Sequence, residues 1–166
     1  MNDHIIIPLT QGYVTVISKE DEDLAAYKWH VSINTAFHKT FRPYARRNEN
    51  VKAFPGMMHK IIMTRIAGAE LPPYQIIDHK DNNPLNNTRE NLRLATASQN
   101  SINRATNHNN KSGFRGVTPT KNGRFTASIG LNQKKYMLGT FDTAEEAYEA
   151  YCKAAKELHG EWARYE

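Results

Sequence analysis

The residues best suited to chemistry are Asp78, His79 and Asn100. Asp78 and His79 follow the apolar run 75–77, which predicts a short strand, and Asn100 lies in a helix that follows a second predicted strand at 92–95. Carboxylate and amide oxygens are hard ligands that suit Mg²⁺ or Mn²⁺. An imidazole beside them titrates near cellular pH and can act as a general base. Metal-assisted cleavage of a phosphodiester needs one such base and one such cation.

Each of these polar residues also has a simpler interpretation. A strand-end aspartate that caps a turn beside a surface histidine is common, so spacing alone leaves the role of Asp78 and His79 open. His59 lies in an apolar helix candidate, which favours a hydrogen-bonded packing residue over a ligand. Asn87 and Asp81 lie in an asparagine-rich loop, where loop shaping and an Asx turn compete with metal binding.

The chain around these residues is a β-rich section followed by a section in which helices and strands alternate. Gly68 and the pair Pro72-Pro73 end the first predicted helix, and Thr96 or Ser98 caps the second. Trp29 is expected in the core. The predicted elements are strands at 13–17 and 42–47, a turn or short helix at 18–24, a helix at 57–67, strands at 75–77 and 92–95, and a helix starting near 96–98.

Beyond a polar linker at 105–111 the pattern changes to three short strands and one amphipathic helix at 143–159. Thr143 and Glu146 have capping-box spacing, and Gly160 suits a helix end. The stretch 111–136 carries six basic residues and no Asp or Glu, whereas 142–161 carries six acids against two lysines. This segregation predicts a sheet with a basic face for phosphates, backed by an acidic helix; lysines that merely improve solubility are the alternative.

The composition narrows the class of protein. The 166 residues suffice for one or two domains, and a net charge of +5 favours a polyanionic partner. Cys152 is the only cysteine, which excludes an internal disulfide and a zinc site built from several cysteines. No stretch approaches the roughly 18 apolar residues of a membrane span, and the first residues lack a signal-peptide pattern. We therefore expect a cytoplasmic protein with no membrane partner.

The run from Asp78 to Thr96, DHKDNNPLNNTRENLRLAT, resembles the ββα-metal motif of phage-type HNH homing endonucleases. The similarity continues through 97–103 and upstream through 58–62, and weaker similarity lies in 7–12 and 27–29, so that it covers most of residues 5–104. It implies a hydrolase that cuts phosphodiester bonds of DNA. A phage-encoded chain of this kind would act in the cytoplasm or nucleoid of the host cell.

The resemblance assigns a role to each motif residue. Asp78 matches the first metal ligand and His79 the general base. Asn91 matches the central asparagine, which ties the loop to backbone groups and holds the base in place, and Asn100 matches the ligand on the helix. Arg104 stands where the bacterial-toxin branch of the family has a further histidine. This implies two protein ligands, which favours one Mg²⁺ or Mn²⁺ over Zn²⁺; Arg104 then either contacts a phosphate or faces solvent.

The C-terminal segment resembles the DNA-binding domain of APETALA and ethylene-response factors, through SGFRGV at 112–117, FTASI at 125–129 and YMLGTF followed by DTAEEAYEAY at 136–151. That family lays a three-stranded sheet in the major groove. Phe125 and Thr118 depart from the plant pattern, so base specificity is not transferred. The residues expected to contact DNA are Arg115, Thr118, Arg124, Thr126, Lys134 and Lys135, together with Arg46 and Arg47, for which an exposed basic strand is the alternative, and Arg104.

Together these features predict an α+β protein with a β-rich segment at 1–56, an HNH nuclease at 57–104, a linker at 105–111 and a small three-stranded antiparallel sheet packed on one helix at 112–166. We expect a site-specific, homing-type endonuclease of a bacteriophage or mobile element, which binds double-stranded DNA as a monomer and nicks it. The alternatives are a sequence-specific DNA-binding regulator with an inactive nuclease motif and a nuclease that cuts RNA.

Overall fold

The computed structural model describes residues 4–33, 42–47, 56–72, 75–103, 109–131 and 134–165. The chain divides into two compact units, Met1–Ala95 and Thr96–Glu166, and both contain helices and strands, in agreement with the predicted α+β class. None of the helices in these ranges has the length and apolar character to cross a membrane.

The first unit begins with an antiparallel hairpin, β1 (His4–Pro8) and β2 (Val14–Ser18), whose register runs from His4↔Ser18 to Pro8↔Val14. Short 3-10 turns at Thr10–Gly12 and Lys19–Ala26 flank β2. The remaining elements of this unit are β3 (His30–Ile33), β4 (Pro43–Arg46), α1 (Met58–Ala67), β5 (Ile76–His79), β6 (Asn86–Asn87) and β7 (Leu92–Ala95).

Strand pairing connects the N-terminal hairpin to the loop that follows His79. β3 pairs with β4 and β5 with β7, both antiparallel. The two residues of β6 extend the first hairpin in parallel, with Asn86 opposite Val16 and Asn87 opposite Ile17. The 81–91 loop is therefore built directly on β2.

One hydrophobic core joins the early strands to α1. Trp29 is 3% exposed, which confirms its predicted core position. Ile66 is 42% exposed, because the last turn of the helix extends past the core. The core crosses the predicted boundary at 56–57. Its members are Ile7, Leu9, Ile17, Leu24, Trp29, Val31, Ala45, Met58, Ile61, Ile62, Met63 and Leu92.

A buried ion-pair network fastens the 3-10 segment after β2 to α1 and to the 81–91 loop. Asp21 is 0% exposed and accepts hydrogen bonds from Arg65 Nη1 at 3.0 Å and Arg89 Nε at 2.7 Å. The bond to Asp21 raises the pKa of Arg89. Arg65 also makes a two-pronged contact with the exposed Asp23, which lowers the pKa of that carboxyl.

The second unit contains α2 (Ala97–Ile102), β8 (Val117–Pro119), β9 (Phe125–Leu131), β10 (Lys134–Phe141) and α3 (Ala144–His159). The strands form one antiparallel sheet in the order β10-β9-β8. Buried residues of the sheet, such as Ala127 and Ile129, pack on α3. Gly116 has φ +73° and lies so close to α3 that a Cβ there would overlap the ring of Tyr151. The close approach of chain and helix therefore requires glycine.

Both predicted helix starts have complete capping boxes. Thr96 Oγ1 accepts from Gln99 N, and the Gln99 side chain accepts from Thr96 N. Thr143 and Glu146 make the same reciprocal pair at the start of α3, as their spacing predicts. Each box satisfies backbone donors that a helix end would otherwise leave without partners.

Candidate active site

β5 and β7 position Asp78 through their register. Asp78 lies opposite Arg93 and accepts a hydrogen bond from Arg93 Nε at 2.9 Å. Cross-strand neighbours share one face of a sheet, so the pairing itself creates this contact. Asp78 is 5% exposed, and the ion pair holds its carboxylate in a defined orientation. Sequence analysis gave Arg93 no role, because the contact becomes visible only when the register of β5 and β7 is known.

The imidazole of His79 is buried at the end of β5, with 7% of the residue exposed. Its Nε2 lies 3.3 Å from Asn87 Oδ1. Burial lowers the pKa of His79, although the bond to Asn87 and the nearby Asp81 and Asp78 act in the opposite direction. The ring is therefore neutral near pH 7 and has an unprotonated nitrogen that can accept a proton.

A second buried histidine packs against the first. The ring centroid of His59, on α1, lies 5.6 Å from that of His79 and 5.5 Å from that of Tyr44. Burial, followed by the proximity of His79 and Lys60, lowers the pKa of His59 to about 3. The structure thus favours the packing interpretation of His59, whose ring packs against the ring of His79.

Asn91 organises the loop that connects β5 to β7. Its Nδ2 donates to Asp81 Oδ1 and to Asn86 O, and its Oδ1 accepts from Asp81 N. Asp81 Oδ1 also accepts from Asn83 N, which is the expected Asx turn. A side-chain contact to the His79 ring comes from Asn87, which sequence analysis interpreted as a loop-shaping residue.

Asn100 lies on α2, at the start of the second unit, where it is half-buried and its backbone N donates to Thr96 O. Arg104 lies outside the described residues. The oxygens of Asp78 and Asn100 are hard donors, so their chemistry fits Mg²⁺ or Mn²⁺. Within the described ranges, no group of three or more His, Cys, Asp and Glu side chains is arranged to hold a metal ion.

Most of the C-terminal residues that are predicted to contact DNA lie on the face of the sheet opposite α3. Thr126 of β9 lies between Thr118 of β8 and Thr140 of β10, which gives a row of hydroxyl groups across the strands. Lys135 lies opposite Gly130 on the same face. Arg124, just before β9, is exposed and pairs with Asp142 at 2.8 Å.

For three of the residues predicted to contact DNA, the structure shows intramolecular contacts or a position on the other face of the sheet. Arg47 is 7% exposed, and its guanidinium lies 4.4 Å from the ring centroid of Tyr27, where a cation–π contact keeps it inside the first unit. Arg115 donates to Tyr151 Oη at 2.8 Å and to Ile102 O, so its side chain is engaged with α3 and α2. The register places Lys134 opposite Leu131, on the α3 face of the sheet. Arg46 is half-buried at the end of β4.

Comparison with known proteins gives matches to both parts of the chain. Residues 57–102 match the family model described as HNH endonuclease. The chain is 39% identical over 106 residues to an uncharacterized HNH endonuclease of Acanthamoeba polyphaga mimivirus, an alignment that covers 64% of this chain and 54% of the relative. It is 34% identical over 100 residues to protein 3.8 of Escherichia phage T7. This alignment covers 60% of this chain and 82% of the phage protein.

The C-terminal part matches a different kind of protein. Over 54 residues the chain is 46% identical to an ethylene-responsive transcription factor of Arabidopsis thaliana, covering 31% of this chain and 21% of the factor. The chain spans about half the length of the mimivirus relative and most of the phage T7 relative. Residues 57–102, where Asp78 and His79 lie, therefore form an HNH endonuclease domain, and the chain is similar over 106 residues to a viral protein that is named an HNH endonuclease.

Proposed function

We propose that this protein is a metal-dependent endonuclease that hydrolyses phosphodiester bonds of duplex DNA, with His79 as general base and Asp78 and Asn100 as ligands of one Mg²⁺ or Mn²⁺ ion. The observation that carries the proposal is the buried Asp78-His79 pair at the end of β5, inside the segment that matches the HNH endonuclease model.

The protein's own residues supply the base and its support. His79 is neutral at physiological pH because burial lowers its pKa, so it can take a proton from the water that attacks the phosphorus. Arg93 keeps the Asp78 carboxylate oriented as an oxygen donor. Asn91 holds the 81–91 loop in shape and thereby fixes the strand end that carries the base. A bound divalent cation would polarise the scissile phosphate and stabilise the leaving oxygen.

The second unit is proposed to hold the DNA. The similarity to a plant transcription factor over 54 residues and the row of hydroxyl groups on the open face of the sheet support a contact with the major groove. Thr118, Thr126, Arg124 and Lys135 would make this contact, with Arg46 and Arg104 as further candidates at the backbone. A homing-type enzyme that works as a monomer and nicks one strand accords with a single base and a single cation.

Nicking of supercoiled plasmid DNA tests the proposal. The wild-type protein should convert it to the open-circular form with Mg²⁺ or Mn²⁺ and lose this activity in EDTA. His79→Ala should be slower by roughly 10²- to 10⁴-fold, the contribution of a general base. The matched control is His4→Ala, at an exposed position of β1, which should cut at the wild-type rate.

Undiminished nicking by His79→Ala would contradict the proposed base. A wild-type protein that binds duplex DNA but does not cut it with either ion would instead support a DNA-binding regulator. Preferential cleavage of RNA in a competition assay would support the RNA-cutting alternative.

A further inference from the structure

A buried chain of hydrogen bonds connects the N-terminal hairpin to the ring of His79. Thr15, on β2, and Asn87, on β6, are both 0% exposed. Thr15 Oγ1 lies 2.7 Å from Leu85 O and 2.8 Å from Asn87 Nδ2. Asn87 Oδ1 lies 3.3 Å from His79 Nε2. A side chain of the N-terminal hairpin and two side chains about 70 residues further along the chain thus form one continuous polar path inside the first unit.

The Thr15 hydroxyl determines the direction of this chain. A hydroxyl has one proton to donate, and Leu85 O, which can only accept, lies at the short distance of 2.7 Å. Met58 Sδ lies at 3.7 Å and is a weaker acceptor, so the proton points to Leu85. Thr15 Oγ1 is then an acceptor toward Asn87. Only the amide nitrogen of Asn87 can satisfy it, which fixes the orientation of the amide group.

The orientation of Asn87 in turn determines where the proton of His79 lies. With Nδ2 directed at Thr15 and at Pro84 O, the amide oxygen faces His79 Nε2. A carbonyl oxygen can only accept a hydrogen bond, so Nε2 carries the ring proton. In a neutral imidazole with a proton on Nε2, the lone pair is on Nδ1.

We infer that Thr15 and Asn87 are positioning residues that set the tautomer of His79, so that Nδ1 is the atom that takes the proton from water. The inference rests on the proposed role of His79 as the base, and through Thr15 it adds a residue outside the matched segment 57–102 to the machinery of the site. The parallel pairing of β6 with β2 keeps Thr15 and Asn87 on neighbouring strands, which gives the chain a rigid support.

Nitrogen-15 NMR of the full-length protein, with its histidines labelled, reads the tautomer directly. The His79 signals are identified by their absence in His79→Ala. We expect the wild-type ring to carry its proton on Nε2. Thr15→Val retains the shape of the side chain but removes the nearer acceptor of Asn87 Nδ2 and leaves only Pro84 O at 3.5 Å, so the amide is held less firmly and the spectrum should show a shift toward the proton on Nδ1. Thr15→Ser restores the hydroxyl and should restore the wild-type spectrum.

Nicking rates connect the tautomer to catalysis. Thr15→Val should lower kcat by roughly 10- to 100-fold, the usual loss when a partner that orients a functional histidine is removed, with KM unchanged. Thr15→Ser should recover most of this loss. The matched control is Thr88→Val, the same substitution at another buried hydroxyl of the loop, where Thr88 Oγ1 donates to Asn86 Oδ1. It should leave both the His79 spectrum and kcat unchanged.

Two results would overturn the inference: a wild-type ring protonated on Nδ1, or a Thr15→Val protein that loses activity while the tautomer stays as in the wild type. Combining the substitutions separates this inference from the proposed function. Thr15→Val should cause no further loss in a His79→Ala background, because it acts through the base. Full activity of His79→Ala alone would overturn the proposed function, and the spectrum would still report whether Thr15 sets the tautomer.

Discussion

His59 and His79 place two imidazoles in van der Waals range of each other inside the first unit, and burial lowers the pKa of both. Keeping them neutral suits the proposed chemistry at His79 but has a cost for stability in acid. The unfolded chain takes up protons that the folded chain does not, so the free energy of unfolding must fall as the pH falls.

The stability of the first unit should therefore decrease between about pH 7 and about pH 5. The pKa of His59 is about 3 in the folded protein, against a model-peptide value of 6.5, so its contribution is complete above 6.5 and is lost progressively below it. The expected loss from His59 is about 2 kcal/mol, with a further loss of the same sign from His79. Urea unfolding in EDTA, followed by the fluorescence of Trp29 in a Trp162→Phe background, measures it.

His59→Gln, which does not titrate, is the matched variant for this experiment. It should show a shallower dependence on pH, by about one bound proton. Equal pH dependence of His59→Gln and the wild-type protein would contradict the neutral, buried state of His59.

The sequence predicts the residue types at the candidate site but not the partners that orient them. The motif points to Asp78, His79 and Asn91, and the Asx turn at Asp81 follows from local chain chemistry. Arg93 meets Asp78 through antiparallel register, and Thr15 reaches Asn87 through a parallel pairing of two residues. Such contacts depend on tertiary structure and leave no local signal.

At the scale of elements, Asp21 is the point where three segments of the first unit meet, because it bonds to Arg65 of α1 and to Arg89 of the 81–91 loop. Asp21→Asn should lower the free energy of unfolding of this unit by about 3 kcal/mol, since two arginines lose the charge that compensates their partial burial. Urea unfolding monitored through Trp29 measures the change.

Asp23 provides the matched control, because it bonds to the same Arg65 but has a side chain that is 57% exposed. Asp23→Asn should cost at most about 1 kcal/mol, as exposed ion pairs do. Equal losses from Asp21→Asn and Asp23→Asn would show that burial does not set the strength of this network.

Hydrophobic periodicity and helix caps predict α1, α2, α3 and most strands to within a few residues. The predicted 13–17 strand is β2, and the predicted 92–95 strand is β7. Three strands, β1, β3 and β6, were not among the predicted elements. β1 has the continuous apolar run Ile5–Ile7, which does not distinguish strand from helix, and β6 has only two polar residues, which become a strand because β2 lies beside them. The core shared across 56–57 has no signal in the sequence, because it depends on the packing of segments that are far apart in the chain.

At the scale of the whole molecule, the positive charge of the C-terminal sheet should make DNA binding depend on salt. Lys135→Ala and Arg124→Ala should each weaken binding to duplex DNA and reduce the slope of log K against log salt concentration by about 1, the effect of one phosphate contact. Fluorescence anisotropy with a labelled duplex in EDTA, over a series of salt concentrations, measures both quantities without cleavage.

Two lysines on the other side of the same unit are controls for net charge. The register places Lys134 on the α3 face of the sheet, and Lys156 is exposed on α3 itself. Lys134→Ala and Lys156→Ala remove the same charge as Lys135→Ala and should leave the salt slope near its wild-type value. A reduction of the slope as large as that of Lys135→Ala would contradict the assignment of the open face as the DNA-binding surface.

The parallel pairing of β6 with β2 also determines which part of the chain can fold when it is separated from the rest or fused to another protein. The segment 57–102 carries the family motif, yet one edge of its loop is completed by Val16 and Ile17, and its core is shared with the early strands. An excised 57–102 fragment would expose apolar surface and leave the backbone of Asn86 and Asn87 without a strand partner. The smallest segment that we expect to fold alone therefore includes the first hairpin. Recombination between such genes is expected to keep the hairpin and the 57–102 segment together.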